Sequence, residues 1–260
     1  MPVNVVQLRL HKNGNFPKEY EDASKWRVDD IDGKLISRFA VADGATESPY
    51  ARQWANILCS AYINGEISNE INENILYKIR RQWSDSLPKV EVPWYIEAKI
   101  EQGAYAAFVG LQIEYDCQTH IGKASLLAIG DCCIMHVHKT KLRSFPLKRS
   151  DKFNSRPMLI GTLNQKLDTS IIRNKVWTCR DGDIFLLMSD ALACWFLKMY
   201  ESGEKSPWKR FDEVKANKYS KRWFRETIQD ERREGHLKND DVTLLKVQII
   251  GSSQQDEYLK

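Results

Sequence analysis

The chain has 260 residues, 42% hydrophobic and 28% charged, a globular composition large enough to bury a core without disulfides. Its 39 basic and 35 acidic residues leave a net charge of +4, too balanced to mark a nucleic-acid binder. Mean hydropathy is −0.50, no apolar run approaches a membrane span, and MPVNVVQLRLHKNG is no secretory leader, so a cytoplasmic, membrane-free protein is expected.

In chain order, VVQLRL (5–10) alternates as a strand, and LISRFAVAD (35–43) is an apolar run ending on an acid. A helix is expected from about Ser48 to Ile63, with Trp54, Ala55, Leu58 and Tyr62 on one buried face and Ser48-Pro49 at its start. A second helix is expected over 68–85. Residues 104–115 and 123–138 read as a pair of strands. KVWTC (175–179), a tight RDGD turn and IFLLMSD (184–190) follow with hairpin-like spacing. Residues 191–234 read as helical and highly charged, and DVTLLKVQII (241–250) as the last strand. The pattern predicts a layered α/β or α+β domain over 1–250 with a polar tail at 251–260.

Several apolar strands end or begin on aspartate: Asp43-Gly44, Asp190 and Asp240-Asp241, with Glu21-Asp22 upstream and Asp131 inside LLAIGDCC. A carboxylate beside a buried strand is costly unless its charge is compensated. Hard cations such as Mg²⁺ or Mn²⁺ do that with oxygen ligands, and two of them can activate water and offset phosphoryl charge. Taken singly, each aspartate also fits a turn or capping role.

The ordered set resembles the PP2C (PPM) metal-dependent protein phosphatases, in a divergent, bacterial-type form. Glu21-Asp22-Ala23 is similar to the early E-D-A element, and Phe39 to Gly44 to the F-A-V-x-D-G strand. Gly130-Asp131 resembles the start of G-D-S-R, Asp183 to Leu192 resembles D-x-L-L-L-x-S-D-G-L, and Asp240 to Thr243 resembles D-N-x-T. The resemblance spans Glu21 to Val247 and implies a central β-sandwich of two antiparallel sheets flanked by helices. It implies that Asp43 bridges two Mn²⁺ or Mg²⁺ ions and that the Gly44 carbonyl binds the second. Asp190 and Asp240 would complete the first, Glu21 and Asp22 would bind or orient the second ion's water shell, and Asp131 would lie near a third, weaker ion. Asp241 is the alternative to Asp240 as ligand.

The sequence departs from that pattern where substrate is handled. Pro17 stands where an arginine usually grips phosphate; Lys18 is the nearest substitute, with Lys12 and Arg52 as weaker candidates. Ala45 follows Asp-Gly where some members carry a histidine, Ala191 replaces a glycine, Cys132-Cys133 replaces S-R, and the stretch between Asp131 and Asp190 is shorter than usual.

Other features read more plainly. The six cysteines, Cys59, Cys117, Cys132, Cys133, Cys179 and Cys194, fit no zinc-module spacing and read as reduced, mostly buried thiols. His136 and His138 share one strand face without an obvious third metal ligand. The 198–238 block holds 12 Lys+Arg and 8 Asp+Glu interleaved with Trp208, Phe211, Trp223 and Phe224. It reads as an amphipathic, solvated helical segment, or as a polyanion contact.

The expected function is metal-dependent hydrolysis of phosphoserine or phosphothreonine on a protein substrate, a target of a Ser/Thr kinase, by a monomer that does not bind nucleic acid. Two alternatives stay open: a phosphoprotein-binding pseudophosphatase, motivated by Pro17, Ala45 and Ala191, and a metal-dependent nuclease or phosphodiesterase, motivated by the acids and the 198–238 block.

Overall fold

A computed structural model describes residues 3–31, 34–46, 50–68, 71–88, 94–153, 157–163, 166–212 and 214–250. The Ser48-Pro49 helix start and the tail at 251–260 lie outside them.

Strands β1 (Val3–Leu10), β2 (Ala23–Ile31) and β3 (Lys34–Gly44) come first, then helices α1 (Ala51–Ile63), α2 (Glu73–Ser86) and α3 (Trp94–Glu101). Strands β4 (Tyr105–Asp116), β5 (Ile121–Ile129), β6 (Cys133–His138), β7 (Lys141–Phe145), the short β8 (Ile160–Gly161), β9 (Arg173–Arg180) and β10 (Ile184–Met188) follow. Helices α4 (Asp190–Glu201) and α5 (Lys218–Arg233) precede the last strand, β11 (Val242–Ile249).

The strands form two antiparallel sheets, β1-β11-β10-β6-β7 and β2-β3-β4-β5-β9, with β8 paired to β4. Alternation decides what each face meets. On β3, Phe39 and Val41 join Val109, Leu111, Phe185, Leu187 and Val247 between the sheets. The intervening Ala40 and Ala42 face α1, where Trp54, Leu58 and Tyr62 are buried against them. Small residues on that face let a tryptophan-bearing helix lie close to the strand. On the other sheet, Leu186, Met188 and Leu244 pack under α4 and α5 through Phe196, Phe211, Phe224 and Ile228. Both sheets are thus covered on both sides, in four layers, and among the described residues five α-helices flank them.

Four local expectations need correction. The run 123–138 is two strands in different sheets, broken at Gly130, whose φ of +84° reverses the chain. A Cβ there would lie 2.7 Å from the Ala107 Cβ, so the crossover requires glycine. The RDGD turn does not close a hairpin; it carries the chain from β9 in one sheet to β10 in the other. Helix α1 begins at Ala51 after the left-handed Tyr50, and α2 begins at Glu73, capped by the Asn72 side chain accepting from the Ile75 N–H. Of the aromatic residues singled out in the 198–238 block, Trp208, Phe211 and Phe224 are buried and Trp223 packs against them, while Tyr200 and Tyr219 of the same block are exposed. Those four offer little stacking surface for bases, which weakens one motive for the nuclease alternative.

No helix is long and apolar enough to cross a membrane among the described residues. Cys132 lies between the sheets and Cys133 under the helices, as neighbours on alternating strand positions do.

Candidate active site

Strand register brings the acids to one end of the sandwich. Ala23 pairs with Ala42, which sets Glu21-Asp22 beside Asp43-Gly44. Met188 pairs with both Cys133 and Leu244, which aligns the crossover bearing Asp131, the first turn of α4 bearing Asp190, and the approach to β11 bearing Asp240-Asp241. Asp190 therefore opens a helix after the N-cap Ser189 rather than ending a strand. Ala191 is accommodated as the next helical residue, with its N–H on the Asp190 carboxylate.

These carboxyls act on one another. Asp22 is 2% exposed and its pKa is raised to about 8, by burial and by Asp241, against a hydrogen bond from Thr243. Burial also raises Asp43 well above the ordinary range, and Asp22, Asp190 and Asp240 add to it. Asp131 is pushed up to about 7 by burial and Asp190. Asp190 is raised by burial and Asp240 despite the opposing charge of Lys238, and Glu21 by burial despite Lys12. Like charges gathered in a poorly hydrated place produce this pattern.

The scaffolding around the acids is specific. The Thr243 hydroxyl donates to Asp22 Oδ2 at 2.7 Å, Tyr20 bonds the same hydroxyl, and the Ser189 hydroxyl accepts from the Thr243 N–H at 2.9 Å. The other Asp22 oxygen, Oδ1, is buried without a hydrogen-bond partner. Asp241 accepts from the backbone N–H of Lys12 at 2.8 Å and of Glu21 at 2.7 Å, one on each oxygen. Its carboxylate ties two chain segments together, whereas Asp240 turns its carboxylate to Lys238. Arg232 of α5 holds the Asp240 backbone carbonyl and the His11 carbonyl. A Cβ on Gly44 would lie 2.9 Å from the Glu21 carbonyl oxygen, so the close approach of β3 to Glu21 demands glycine.

Two lysines enter the cluster. Lys238 Nζ lies 2.6 Å from Asp240 and 3.8 Å from Asp190, and Lys12 Nζ lies 3.8 Å from Glu21. The Lys18 ammonium instead sits over the Phe16 ring, and Arg52 donates to the Lys18 carbonyl. Lys238 and Tyr20 carry no motif that would assign them in advance, whereas Thr243 falls in D-N-x-T and Ser189 in D-x-L-L-L-x-S-D-G-L.

The donors fit a hard cation: they are oxygens, buried, mutually repelling, one of them an orphan, and an ammonium already sits between two. Among the described residues the only trio of ligand atoms within 4.8 Å of one another is Glu231, Glu234 and His236, on the surface near the end of α5. In the acid cluster Asp43 and Asp190 hydrogen-bond each other, but no three such atoms of its described residues come that close together.

At the opposite end of β10, Asp183 accepts from His136 at 2.8 Å and His138 at 2.6 Å. The H-x-H pair is consumed by this carboxylate.

Two antiparallel sheets between helices make a PP2C-like fold, as solved phosphatase structures bear out. No protein-family model matches the sequence, and no curated protein matches it. Solved structures do. The Mycobacterium tuberculosis serine/threonine phosphatase PstP/Ppp aligns with 96% of this chain and 100% of its own at 14% identity and TM-score 0.55. PppA, a key regulatory component of T6SS in Pseudomonas aeruginosa, aligns with 95% of this chain and 98% of its own, also at 14% identity and TM-score 0.55. The catalytic domain of PstP in complex with two manganese ions aligns over 95% and 98% at 14% identity and TM-score 0.51.

Proposed function

We propose that this chain, over residues 1–250, is a metal-dependent protein phosphatase that hydrolyses phosphoserine and phosphothreonine on protein substrates. The observation that carries the reading is the set of buried, mutually raised carboxyls with an unpartnered Asp22 oxygen and the Lys238 ammonium drawn in from the surface to Asp190 and Asp240. An uncompensated cluster of this kind is a standing cost to the fold and is relieved by divalent cations.

Asp43, Asp190 and Asp240 would hold one Mn²⁺ or Mg²⁺, and Asp43, the Gly44 carbonyl, Glu21 and Asp22 the other. Asp131 would serve a third, weaker site. When bound, such ions supply an activated water and offset the charge of the phosphoryl group. The protein's own residues do the rest. Tyr20 and Thr243 fix the Asp22 carboxylate, leaving Oδ1 as a buried acceptor without a protein partner, which an ion or its water shell would satisfy. Asp241 locks the Lys12 and Glu21 backbones to β11, so that Lys12 stands at the rim as a cation for phosphate. Lys12 takes that part better than Lys18, whose ammonium is turned to Phe16.

One observation favours a second reading, a phosphoprotein-binding module without turnover: Lys238 already neutralises Asp190 and Asp240. The experiment is Mn²⁺-dependent release of phosphate from a phosphothreonine peptide by wild type and Asp43→Asn, with a single-stranded oligonucleotide in parallel. Turnover lost in Asp43→Asn supports the proposal. Metal binding without turnover turns it to the binding module, cleavage of the oligonucleotide alone to a nuclease, and unchanged turnover in Asp43→Asn rejects the site.

A further inference from the structure

The basic charge of the chain is concentrated where few acids answer it. Residues 139–180 hold eleven Lys and Arg against two Asp, although the whole chain has an excess of only four. This segment contains β7 and β9, which are the edge strands of the two sheets on the same side of the sandwich. Between them runs a groove of about 440 Å³ lined by Arg143, Lys148 and Lys175 over Phe145, Trp177 and Tyr200, with no acidic residue in its wall.

The direction of these side chains is informative. Arg143 and Phe145 are two apart on β7, and Lys175 and Trp177 two apart on β9, so each cation shares a face with a residue buried between the sheets. Inward positions of a sandwich are normally apolar. Here the mouth of the sandwich opens into a cationic trough instead. The trough continues towards the acid centre, because Leu147 and Arg173, next to Lys148 and Lys175 in strand or loop, line a smaller cavity with Lys152 and Asp131. Among the described residues none of Arg143, Lys148, Lys152, Arg173 or Lys175 makes an ion pair. A single edge lysine is enough to deter edge-to-edge pairing of sheets; convergence from β7, the loop after it and β9 exceeds that need.

Resting on the phosphatase reading above, we propose that this trough docks an acidic, extended peptide segment of the substrate, beside the phosphorylated residue held at the acid centre. The free edge of β9 selects a peptide: it offers alternating N–H and C=O groups that an extended chain can pair with, its terminal position in the sheet leaving that side open. A nucleic acid could accept from the N–H groups but has no alternating ladder to match the edge, and its unbroken phosphate charge would run into Asp131 at the trough's end. A peptide carries its acids only where the cations are.

The test uses the full chain and the variants Arg143→Glu/Lys175→Glu and the milder Arg143→Gln/Lys175→Gln, with folding followed by circular dichroism. Binding of a fluorescein-labelled, unphosphorylated twelve-residue Asp/Glu-rich peptide is read by anisotropy at low and high salt, against a neutral peptide, a single-stranded oligonucleotide and phosphatidylserine vesicles. Mn²⁺-dependent turnover is read in parallel on acidic-flanked and neutral-flanked phosphothreonine peptides and on para-nitrophenyl phosphate.

The expected result is salt-sensitive binding of the acidic peptide, weakened about tenfold or more by the Glu pair and less by the Gln pair. The preference for acidic flanks in kcat/KM falls by a similar factor while para-nitrophenyl phosphate turnover holds. Acidic-peptide binding without any turnover keeps the trough and rejects the phosphatase. Turnover blind to flanking charge, with no acidic-peptide binding, rejects the trough and keeps the phosphatase. Tighter binding of the oligonucleotide or the vesicles overturns the peptide assignment.

Discussion

Strand β10 has an aspartate near each end, and the two behave in opposite ways. Burial would raise both. At Asp183 the hydrogen bonds from His136 and His138 override it and bring the carboxyl below the ordinary value. At Asp190 the neighbours are acids and Lys238, and the carboxyl stays high. One end of the sandwich is internally compensated; the other is left for a ligand to compensate. Function is to be sought at the end the fold does not satisfy by itself.

The sharpest way to break this contrast is to remove one acid at each end. Asp43→Asn is expected to lower Mn²⁺-dependent phosphatase turnover by about a hundredfold or more while raising the melting midpoint of the metal-free protein by about 2–4 °C, because one repelling carboxylate is gone. Steady-state kinetics and calorimetry on one sample check both halves. Asp183→Ala is expected to do the reverse: a loss of about 3 kcal/mol in urea unfolding, since two histidines lose their acceptor, with metal affinity by titration calorimetry unchanged.

A gentler probe is pH. Carboxyls raised in the folded state bind protons more tightly folded than unfolded. Their contribution is full below the unfolded value of about 4 and is lost as pH rises through about 7 for Asp131 and about 8 for Asp22. The metal-free protein is therefore expected to lose about 2 kcal/mol or more between pH 5 and pH 8, and saturating Mn²⁺ to flatten that slope. Asp183, held low, contributes above its unfolded value of about 4, and that part is lost only on further acidification. A metal-free protein that grows more stable from pH 5 to 8 would contradict the uncompensated cluster. The smallest effect is expected from Lys238→Met, which removes the ammonium between Asp190 and Asp240. Mn²⁺ should bind roughly three- to tenfold more tightly by calorimetry, since a competing unit charge is worth about 1 kcal/mol at such separations in a hydrated site.

Much of this was legible in sequence because it depends on alternation and order. The run ending at Asp43 reads as a buried strand, and the acid motifs come in the order in which the fold uses them. What escaped is what depends on sheet membership. Nothing in KASLLAIGDCCIMHVH says that Gly130 sends its two halves to different sheets, and without that the RDGD turn looks like a hairpin. Lys238 lies on a charged stretch like any solvated lysine until the packing of α4 beside the approach to β11 brings it to Asp190. The block 198–238 attracts attention with its tryptophans, but its aromatic face is spent on the core. The larger basic excess at 139–180 is scattered over two edge strands and becomes a surface only when the sheets stack.

The clasp between Asp241 and the backbone of Lys12 and Glu21 also bears on when the protein can work. Strand β1 pairs with β11 and with no other described strand, Leu10 meeting Val242 and Val3 meeting Ile249. Of these two strands β1 leaves the ribosome earlier and must wait for β11 before it has a partner among the described strands, and until then its edge is open and the acid centre lacks Asp240. Nascent or C-terminally clipped chains ending before β11 thus lack both the partner of β1 and the clasp of Asp241, and an assembled acid centre is itself a report that synthesis has run past residue 241.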